Sequence, residues 1–309
     1  MRFRNMDGSG PHDLGAVFRW AFVDRVSGKR APDRRQFTTP RVANDGAGLR
    51  ANTHDAAVCW VGHATWVMQL CGVNLVVDPI WAKAIGGVVK RLSEPGVALG
   101  DLPRIDVVLV THNHRDHMDA PSLRHLATTT GMPIAIVPLG LIPAMKALGY
   151  TRVVELGWWE STTVGSVKVT LVPSQHWSRR GLNDTNETLW GGFVVEGGGK
   201  RVYHSGDTAY FNGFSEIARR VGAPDVALLP IGAYEPEWFM RRQHMNPEDA
   251  LRAGLDMDAR RILAMHWGTY QLTDEWLGEP PEKLLVLAGK DPQVLERTRV
   301  VPLGHVELL

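Results

Sequence analysis

Cysteine is scarce in this sequence: the 309 residues include only Cys59 and Cys71. Two cysteines cannot hold a chain of this length together as a disulfide framework. They are more typical of reduced thiols in a cytoplasmic protein. A bridge between the two stays open at this stage, but the fold must be stabilised mainly by a hydrophobic core.

Long apolar runs are also absent. No stretch reaches the ~20 apolar residues that a membrane-spanning helix needs. The first eight residues, from Met1 to Gly8, lack the continuous apolar segment of a signal peptide. We therefore expect a soluble, cytoplasmic protein, with contact at a membrane surface left open.

An excess of charge of either sign is missing too. The chain has 34 Lys and Arg against 33 Asp and Glu, a formal net charge of +1. This balance lacks the basic footprint of a nucleic-acid binder, so we expect no nucleic-acid partner. Apolar residues make up 44% and charged residues 22%, which is typical of a folded globular protein rather than a disordered one.

The character of the sequence changes near residue 55. Residues 1–55 are rich in Arg, Gly and Pro and predict an N-terminal arm, whereas residues 56–309 predict one large domain. Within the arm, the apolar segment Leu14–Val26 predicts a short helix. Its first part is either an amphipathic membrane contact or a buried cap on the main domain. The cap is the preferred expectation, because Asp24-Arg25 interrupts the segment and no broad basic face accompanies it.

Short β-branched segments bounded by turn residues predict strands from Val58 onward. The predicted strands are Val58–Leu70, Val73–Val77, Asp106–Thr111, Ile134–Val137, Val167–Val172, Gly192–Glu196, Val202–His204, Val226–Pro230 and Ile262–Ala264. The predicted helices are Ala120–Thr128, Leu141–Leu148, Phe214–Val221, Pro247–Leu255 and Pro281–Gly289. Because strands come in runs rather than in strict alternation with helices, the pattern favours an α+β sandwich of packed sheets covered by helices.

Four metal-ligand side chains fall within the six residues from His112 to His117, directly after a predicted strand. Imidazole and carboxylate groups are the ligands of Zn, Fe or Mn. In extended backbone, residues two apart project to the same side, so His112 and His114 can bind one ion together. Asp116 and His117 follow at the turn into the next helix and can serve a second ion.

Four ligands are too few for two ions, so further ligands are expected on later strand ends. The sequence offers His176 after the strand ending at Val172, Asp207 after the strand ending at His204, and His266 after the strand ending at Ala264. Each lies where a strand passes into a loop, a place where a rigid sheet can position a side chain. Taken singly, each would be a packed histidine or a turn aspartate; with the first cluster, they predict a dinuclear centre.

These ligands and their intervals resemble the metallo-β-lactamase fold superfamily, whose fold is a four-layer αββα sandwich. Further blocks of residues resemble one branch of it, the N-acylphosphatidylethanolamine-hydrolysing phospholipase D family, in its bacterial form. The similar blocks are Trp60–Thr65, Asp78–Ile80, Pro138–Leu141, Pro173–Trp177, Leu189–Gly191, Ile231–Pro236, Trp238–Met240, His244–Glu248 and Ile262–Tyr270.

The resemblance implies a role for each matching position. His112, His114 and His176 would hold the first zinc; Asp116, His117 and His266 would hold the second; and Asp207 would bridge the two. Iron or manganese would also suit these ligands. Two such ions can share a hydroxide and lower its pKa enough for attack at neutral pH. The expected catalytic residues are Asp116, Asp207 and His244, the last contacting the substrate phosphate or assisting the leaving group.

Other residues near these blocks have weaker assignments. By resemblance, Asp78 would hydrogen-bond a ligand histidine, although it is equally suited to capping the turn before Pro79. His63 is expected to line the cavity. Tyr234, Gln175 and Arg179 are candidates for substrate contacts, whereas His204 is expected to be packed. Trp81, Trp158, Trp159 and the Trp238–Met240 run are candidates for exposed aromatic or apolar surface.

Three functions remain open from the sequence. The leading one is a dinuclear phosphodiesterase of phospholipase D type that acts on N-acylphosphatidylethanolamine-like lipids through a metal-bridging hydroxide. The second uses the same metals on a lactone or another phosphodiester, since a fold does not fix a substrate. The third is a metal-binding protein without catalysis. A phospholipid substrate, a peripheral membrane contact and a homodimer are the expected partners and assembly states.

Overall fold

A computed structural model describes residues 2–30, 32–33, 35–129 and 131–309. Its strands are β1 (Ala57–Gly62), β2 (Thr65–Leu70), β3 (Val73–Val77), β4 (Ala84–Ile85), β5 (Val89–Lys90), β6 (Val107–Leu109), β7 (Ile134–Pro138), β8 (Val153–Leu156), β9 (Ser161–Val164), β10 (Val167–Val172), β11 (Gly192–Gly197), β12 (Lys200–His204), β13 (Val226–Pro230), β14 (Arg261–Met265), β15 (Thr298–Arg299) and β16 (Val306–Leu308). Its α-helices are α1 (Leu14–Phe18), α2 (Asp24–Val26), α3 (Ala47–Ala51), α4 (Ala120–Thr129), α5 (Ile142–Ala147), α6 (Phe214–Val221), α7 (Glu237–Met240), α8 (Pro247–Asp256), α9 (Glu279–Ala288) and α10 (Pro292–Arg297).

The strands form two seven-stranded sheets and one small hairpin. Sheet one has the order β16-β1-β2-β3-β6-β7-β8, and sheet two has the order β15-β14-β13-β12-β11-β10-β9. In each sheet a parallel block, β3-β6-β7-β8 or β12-β13-β14-β15, is joined to antiparallel strands. Because neighbouring parallel strands end at the same edge, the loops after them meet at one end of the molecule.

The two sheets pack face to face, with helices on both outer sides. Strand β2 shows why: Trp66 and Met68 point into the core between the sheets, whereas Val67 points to the core under α4 and α5. This alternation, with both faces apolar, is expected of a strand that is buried on both sides. Helices α6, α8 and α9 cover the outer face of sheet two. The predicted αββα sandwich is confirmed.

The predicted segment Val58–Leu70 is not one strand but the hairpin of β1 and β2. The chain reverses at Gly62 and His63, both of which have positive φ. The sequence prediction missed this turn because no Asn-Gly or Pro-Gly pair marks it. The short strands β8, β9, β15 and β16 were missed as well, since they lie toward sheet edges, where the apolar pattern is weak.

The N-terminal arm forms the predicted helix, with a π-helical turn at Arg19–Val23 between α1 and α2. The preference for a buried cap is wrong, however. Phe18 is 60% exposed and Val26 is 73% exposed. Only one side of the helix meets the domain, where the ring of Trp20 stacks on Phe239 at 4.8 Å. Apolar residues spaced four apart share the opposite face and therefore point away from the domain.

The two cysteines are free: Cys59 is buried in β1 and Cys71 is exposed in the turn after β2. A disulfide between them, left open by the sequence, is therefore not formed. None of the described helices combines the length and the apolarity that crossing a bilayer requires.

Candidate metal centre

The candidate metal centre lies where strand ends of both sheets meet. His112 follows β6 in sheet one, whereas His176, Asp207 and His266 follow β10, β12 and β14 in sheet two. The seven predicted ligands fall into overlapping groups whose ligand atoms lie within 4.8 Å of one another. The structure therefore brings together every residue that the sequence proposed as a ligand.

His112, His114 and His176 form the first histidine group. His112 Nε2 lies 2.8 Å from His114 Nδ1, which lies 3.2 Å from His176 Nε2. His176 Nδ1 lies 2.8 Å from the backbone oxygen of Gln243. Because a carbonyl only accepts, Nδ1 carries the proton and Nε2 presents a lone pair to the group. Three converging imidazole nitrogens match the donor set of a zinc or iron site.

Asp78 fixes two further histidine tautomers. Its Oδ2 accepts hydrogen bonds from His117 Nδ1 and from the Thr111 hydroxyl, each at 2.7 Å. Because the single hydroxyl proton of Thr111 goes to Asp78, Thr111 Oγ1 accepts from His112 Nδ1 at 2.9 Å. Both histidines thereby keep the proton on Nδ1 and direct Nε2 to the centre. The role predicted for Asp78 is confirmed in the structure; Thr111 was missed, although it directly precedes His112.

Asp116, His117 and His266 form the second ligand group. Asp116 Oδ2 lies 3.6 Å from His117 Nε2 and 3.9 Å from His266 Nε2. His63 joins this group, with Nε2 3.1 Å from Asp116 Oδ2. As expected, His63 lines the cavity, and its ring is buried. It is therefore an additional metal-ligand candidate or a donor that holds Asp116 in place.

Asp207 faces both groups, as a bridging ligand should. Its Oδ2 lies 3.1 Å from His117 Nε2 and 3.8 Å from His176 Nε2. Its Oδ1 lies 3.2 Å from His266 Nε2. Asp207 Oδ1, His117 Nε2 and His266 Nε2 are all buried without a protein hydrogen-bond partner. Buried polar atoms are normally paired, so orphaned lone pairs that face one another fit a pair of bound cations.

The charge of the centre also suits cations. Burial lowers the pKa of His114 to about 4 and holds the pKa of His112 and of His176 well below the ordinary value, so all three stay neutral. Burial also opposes protonation of His117, but Asp207, Asp116 and Asp78 outweigh it and raise the His117 pKa. One imidazolium faces three carboxyl groups. A divalent ion would take the place of its proton and balance the remaining negative charge.

Several residues at this end of the molecule have a strained backbone. His63, Asp78 and His266 have φ between 46° and 62°, in the left-handed region that residues other than glycine seldom adopt. Gly206, beside Asp207, also has positive φ; a Cβ there would lie 2.9 Å from Gly191 O. Such conformations persist where the surrounding structure holds functional residues in place.

His244 lies over the centre rather than exposed at the start of α8. Its Nδ1 is 4.0 Å from Asp207 Oδ2, and its ring centroid is 5.2 Å from that of His176. Burial lowers its pKa to about 4. Its side chain is still 13% exposed, and Asp116 is 15% exposed. These two residues border the opening through which a substrate would reach the metals.

Part of the N-terminal arm supports the first histidine group. Asn5 is 5% exposed, and its Oδ1 accepts hydrogen bonds from the backbone N–H of His176 at 3.1 Å and from Trp190 Nε1 at 3.2 Å. Sequence reasoning missed Asn5, because nothing in residues 1–10 signals a contact more than 170 positions away. Only the folded chain brings the two together.

Three weaker candidates are not directed at the centre. The Tyr234 hydroxyl is hydrogen-bonded to Glu279, the Gln175 amide donates to Asp7 and Ser9, and Arg179 donates to carbonyl groups of its own loop. Their contact with substrate stays a prediction. His204 is buried and hydrogen-bonded to the backbone of Ala64, so its predicted packing role is confirmed. Of the Trp238–Met240 run, only Trp238 is exposed, at 42%.

Residues 73–267 match the sequence profile of the Beta-lactamase superfamily domain. That range contains all seven proposed ligands. The chain belongs to the metallo-β-lactamase superfamily. In its fold this superfamily member resembles Igni18, a metallo hydrolase from the archaeon Ignicoccus hospitalis, with a TM-score of 0.62 and 23% sequence identity over 83% of this chain and 99% of that one.

Curated relatives narrow the family. The chain is 39% identical over 241 residues to N-acyl-phosphatidylethanolamine-hydrolyzing phospholipase D 1 of Caenorhabditis elegans. The aligned region covers 73% of this chain and 67% of the worm protein. It is 30% identical over 212 residues to a UPF0173 metal-dependent hydrolase of Caldivirga maquilingensis, covering 68% of this chain and 82% of the relative. With the clustered ligands, these matches identify a metal-dependent hydrolase.

Proposed function

We propose that this protein is a dinuclear-metal phosphodiesterase of phospholipase D type, acting on N-acylphosphatidylethanolamine-like lipids. It would cleave the bond between the phosphatidyl group and an N-acylethanolamine. The observation that carries the proposal is the buried carboxylate of Asp207, whose Oδ2 faces His176 of the first group and His117 of the second. The 39% identity to the worm phospholipase supports the choice of substrate.

The residues divide between two metal positions, which we propose are occupied by zinc. The first histidine group would hold one ion, the second ligand group the other, and Asp207 would bridge them. When bound, two such ions activate water as a nucleophile at neutral pH and neutralise the charge that develops on a phosphoryl oxygen. Histidine and carboxylate ligands also accept iron or manganese, so metal content has to be measured.

His244 is the proposed substrate-contacting residue. It is partly exposed and has a free Nδ1 directed toward Asp207, so it can hydrogen-bond a phosphoryl oxygen at the opening. From the same position its neutral ring can donate an N–H hydrogen bond to the departing alkoxide oxygen of the N-acylethanolamine, which then takes its proton from water. Asp116, which borders the opening with His244, accepts a hydrogen bond from His63. This bond fixes the orientation of the Asp116 carboxylate as a metal ligand.

Product analysis tests this proposal directly. The purified protein, loaded with metal, is expected to convert N-acylphosphatidylethanolamine to phosphatidic acid and N-acylethanolamine. In water enriched in ¹⁸O the label should enter the phosphatidic acid, because water attacks phosphorus. Metal-loaded protein that leaves phosphodiesters intact but opens a lactone would contradict the proposal.

Two variants locate the activity. Asp207→Asn keeps the shape of the side chain but removes the bridging charge, so metal content and turnover should both fall. His244→Gln should retain metal and lose roughly 10²-fold in turnover, the range found when a donor to a transition-state oxygen is displaced. His54→Gln changes an exposed histidine outside both ligand groups and is the matched control. Wild-type turnover in His244→Gln would remove that residue from the mechanism.

A further inference from the structure

A set of large apolar side chains is left uncovered at the metal-bearing end of the molecule. We call it the apolar rim; its exposed fractions are Leu14 83%, Phe18 60%, Phe22 59%, Val26 73%, Val88 81% and Leu182 85%. They come from three separate segments: the arm helix, the hairpin of β4 and β5, and the loop after His176. Exposed apolar clusters of this kind mark interaction surfaces in soluble proteins.

The arm helix is attached beside the opening of the metal centre. Its Trp20 ring stacks on Phe239 at 4.8 Å, and the Arg19 guanidinium lies 4.3 Å from the Trp238 ring centroid. The next turn leads to His244, whose backbone N–H donates to Met240 O at 2.9 Å. The exposed Phe18 and Phe22 rings therefore belong to a helix that is fixed to the segment carrying His244.

The other two segments meet at Arg115, which stands between the ligands His114 and Asp116. A Cβ at Gly86, in the hairpin turn, would lie 3.5 Å from Arg115 Cδ. Arg115 also donates to Arg180 O at 3.3 Å, two residues before Leu182. Each part of the apolar rim is thus joined to residues next to proposed ligands in the chain.

The same three segments are rich in cations. Residues 17–30 contain four Lys or Arg, residues 79–93 contain three, and residues 176–183 contain two. The one acidic residue within these stretches is Asp24, which is 5% exposed and lies 3.4 Å from Arg19. With Asp13, Glu94 and Asp184, which directly flank the three segments, nine cations stand against four carboxylates. Arg25, Arg30 and Lys90 line one surface cavity of about 580 Å³ together with Val88 and Leu92. This face is positive, although the whole chain carries a net charge of only +1.

We infer that the apolar rim and its basic neighbours dock on an anionic lipid surface. Single apolar side chains on separate protrusions, with cations between them, suit a bilayer boundary, where acyl chains take the apolar tips and anionic headgroups take Lys and Arg. A folded protein partner would instead need a continuous apolar core within its interface. The inference deepens the proposed function and rests on it for the lipid substrate, which would reach His244 without leaving the membrane.

Vesicle co-sedimentation of the full-length metal-loaded protein tests the inference. Vesicles of phosphatidylcholine with phosphatidylglycerol should bind the protein, and pure phosphatidylcholine should bind it more weakly. The double variant Phe18→Ser, Phe22→Ser should lose roughly tenfold or more of the partition coefficient, since two rings no longer enter the bilayer. Lys29→Gln with Lys90→Gln should weaken binding to anionic vesicles by roughly tenfold, an effect that high salt removes.

The matched control is Val286→Ser with Leu295→Ser, which removes exposed apolar side chains from α9 and α10. This control should bind vesicles like the wild type. Three results would overturn the inference: no binding of the wild type to anionic vesicles, equal binding of the Phe18 and Phe22 double variant, or a dimer that depends on these two rings while vesicles are not bound.

A soluble diester, bis(4-nitrophenyl) phosphate, separates this inference from the proposed function. If the protein hydrolyses the soluble diester yet ignores vesicles, docking is refuted and the phosphodiesterase proposal stands. If it binds anionic vesicles through the apolar rim but cleaves neither this diester nor the lipid, docking stands and the phosphodiesterase proposal is refuted.

Discussion

The two sheets contribute to the metal centre in different ways. Sheet one supplies four ligands from a single loop, His112 to His117, and one buried carboxylate, Asp78, orients two of these side chains. Sheet two supplies three ligands singly, each from the end of a different strand. Of these, His176 has supports of its own, since it is held by Gln243 and Asn5. The support on sheet one is therefore shared by two ligands, whereas the supports of His176 are independent and serve one.

Shared support predicts the largest loss at Asp78. The Asp78 carboxylate accepts three hydrogen bonds, and all three neighbouring groups are donors. In Asp78→Asn one of the two acceptor oxygens becomes an NH₂ group, which faces these donors and cannot accept from them. We expect the unfolding free energy to fall by about 3–5 kcal/mol, the cost of breaking a buried charged contact. Both metals should be lost, because His112 and His117 lose their fixed tautomers.

Urea unfolding and elemental analysis measure these two effects. Asp258→Asn, at a carboxylate with 81% side-chain exposure, is the control. A full complement of metal in Asp78→Asn would show that the ligand loop holds its geometry without this support, and would remove the proposed difference between the sheets.

Thr111 gives a smaller and more local prediction. Thr111→Val keeps the shape of the residue but interrupts the link from Asp78 to His112. Metal affinity of the first histidine group should fall roughly 10- to 100-fold, as is usual when a partner of a ligand histidine is removed. Competition with a chelator measures this affinity, and Thr111→Ser should restore it. If serine and valine behave alike, the hydroxyl has no part in holding His112.

Asn5 should give the smallest effect, because it supports one ligand of sheet two. Asn5→Ala removes the acceptor for the His176 N–H and should cost about 1 kcal/mol of stability. Asn5→Ala should weaken metal binding less than Thr111→Val does, and only at the first histidine group. Chelator competition gives the comparison, with Asn183→Ala, an exposed residue, as the control. Equal losses in both variants would mean that independent supports matter as much as shared ones.

Prediction from sequence succeeded where a local pattern carried the information. The run from His112 to His117 sits directly after an apolar strand, so both its chemistry and its place at a strand end were readable. Short β-branched segments bounded by turn residues, such as those around Trp66 and Leu228, predicted strands that the sandwich contains. Single residues such as His176 and Asp207 have no local signature of their own. Their places after predicted strands, together with the first cluster, indicated that they are ligands, and the resemblance to a family then gave each one its role.

The failures share a physical cause. Whether Leu14–Val26 is buried depends on which surface the helix meets, and an amphipathic pattern does not state what lies opposite it. The hydrogen-bond partners of Tyr234 and Gln175, which are Glu279 and Asp7, were not foreseen either, because they come from distant parts of the chain. The bond from Asn5 to His176 likewise crosses more than 170 positions. The periodicity of a sequence shows which residues share one face of a helix or strand. It does not show which distant residues that face will contact.

By itself, then, the sequence determined the ligand chemistry, most of the central strands and the helices that cover them, and the sandwich that follows from strands that come in runs. Tertiary structure decided the rest: that Asp207 faces both ligand groups, that Thr111 relays from Asp78 to His112, and that the arm helix leaves its apolar face uncovered. The reason is geometric. Residue type fixes what a side chain can bind, whereas the partner that it meets depends on how distant segments pack.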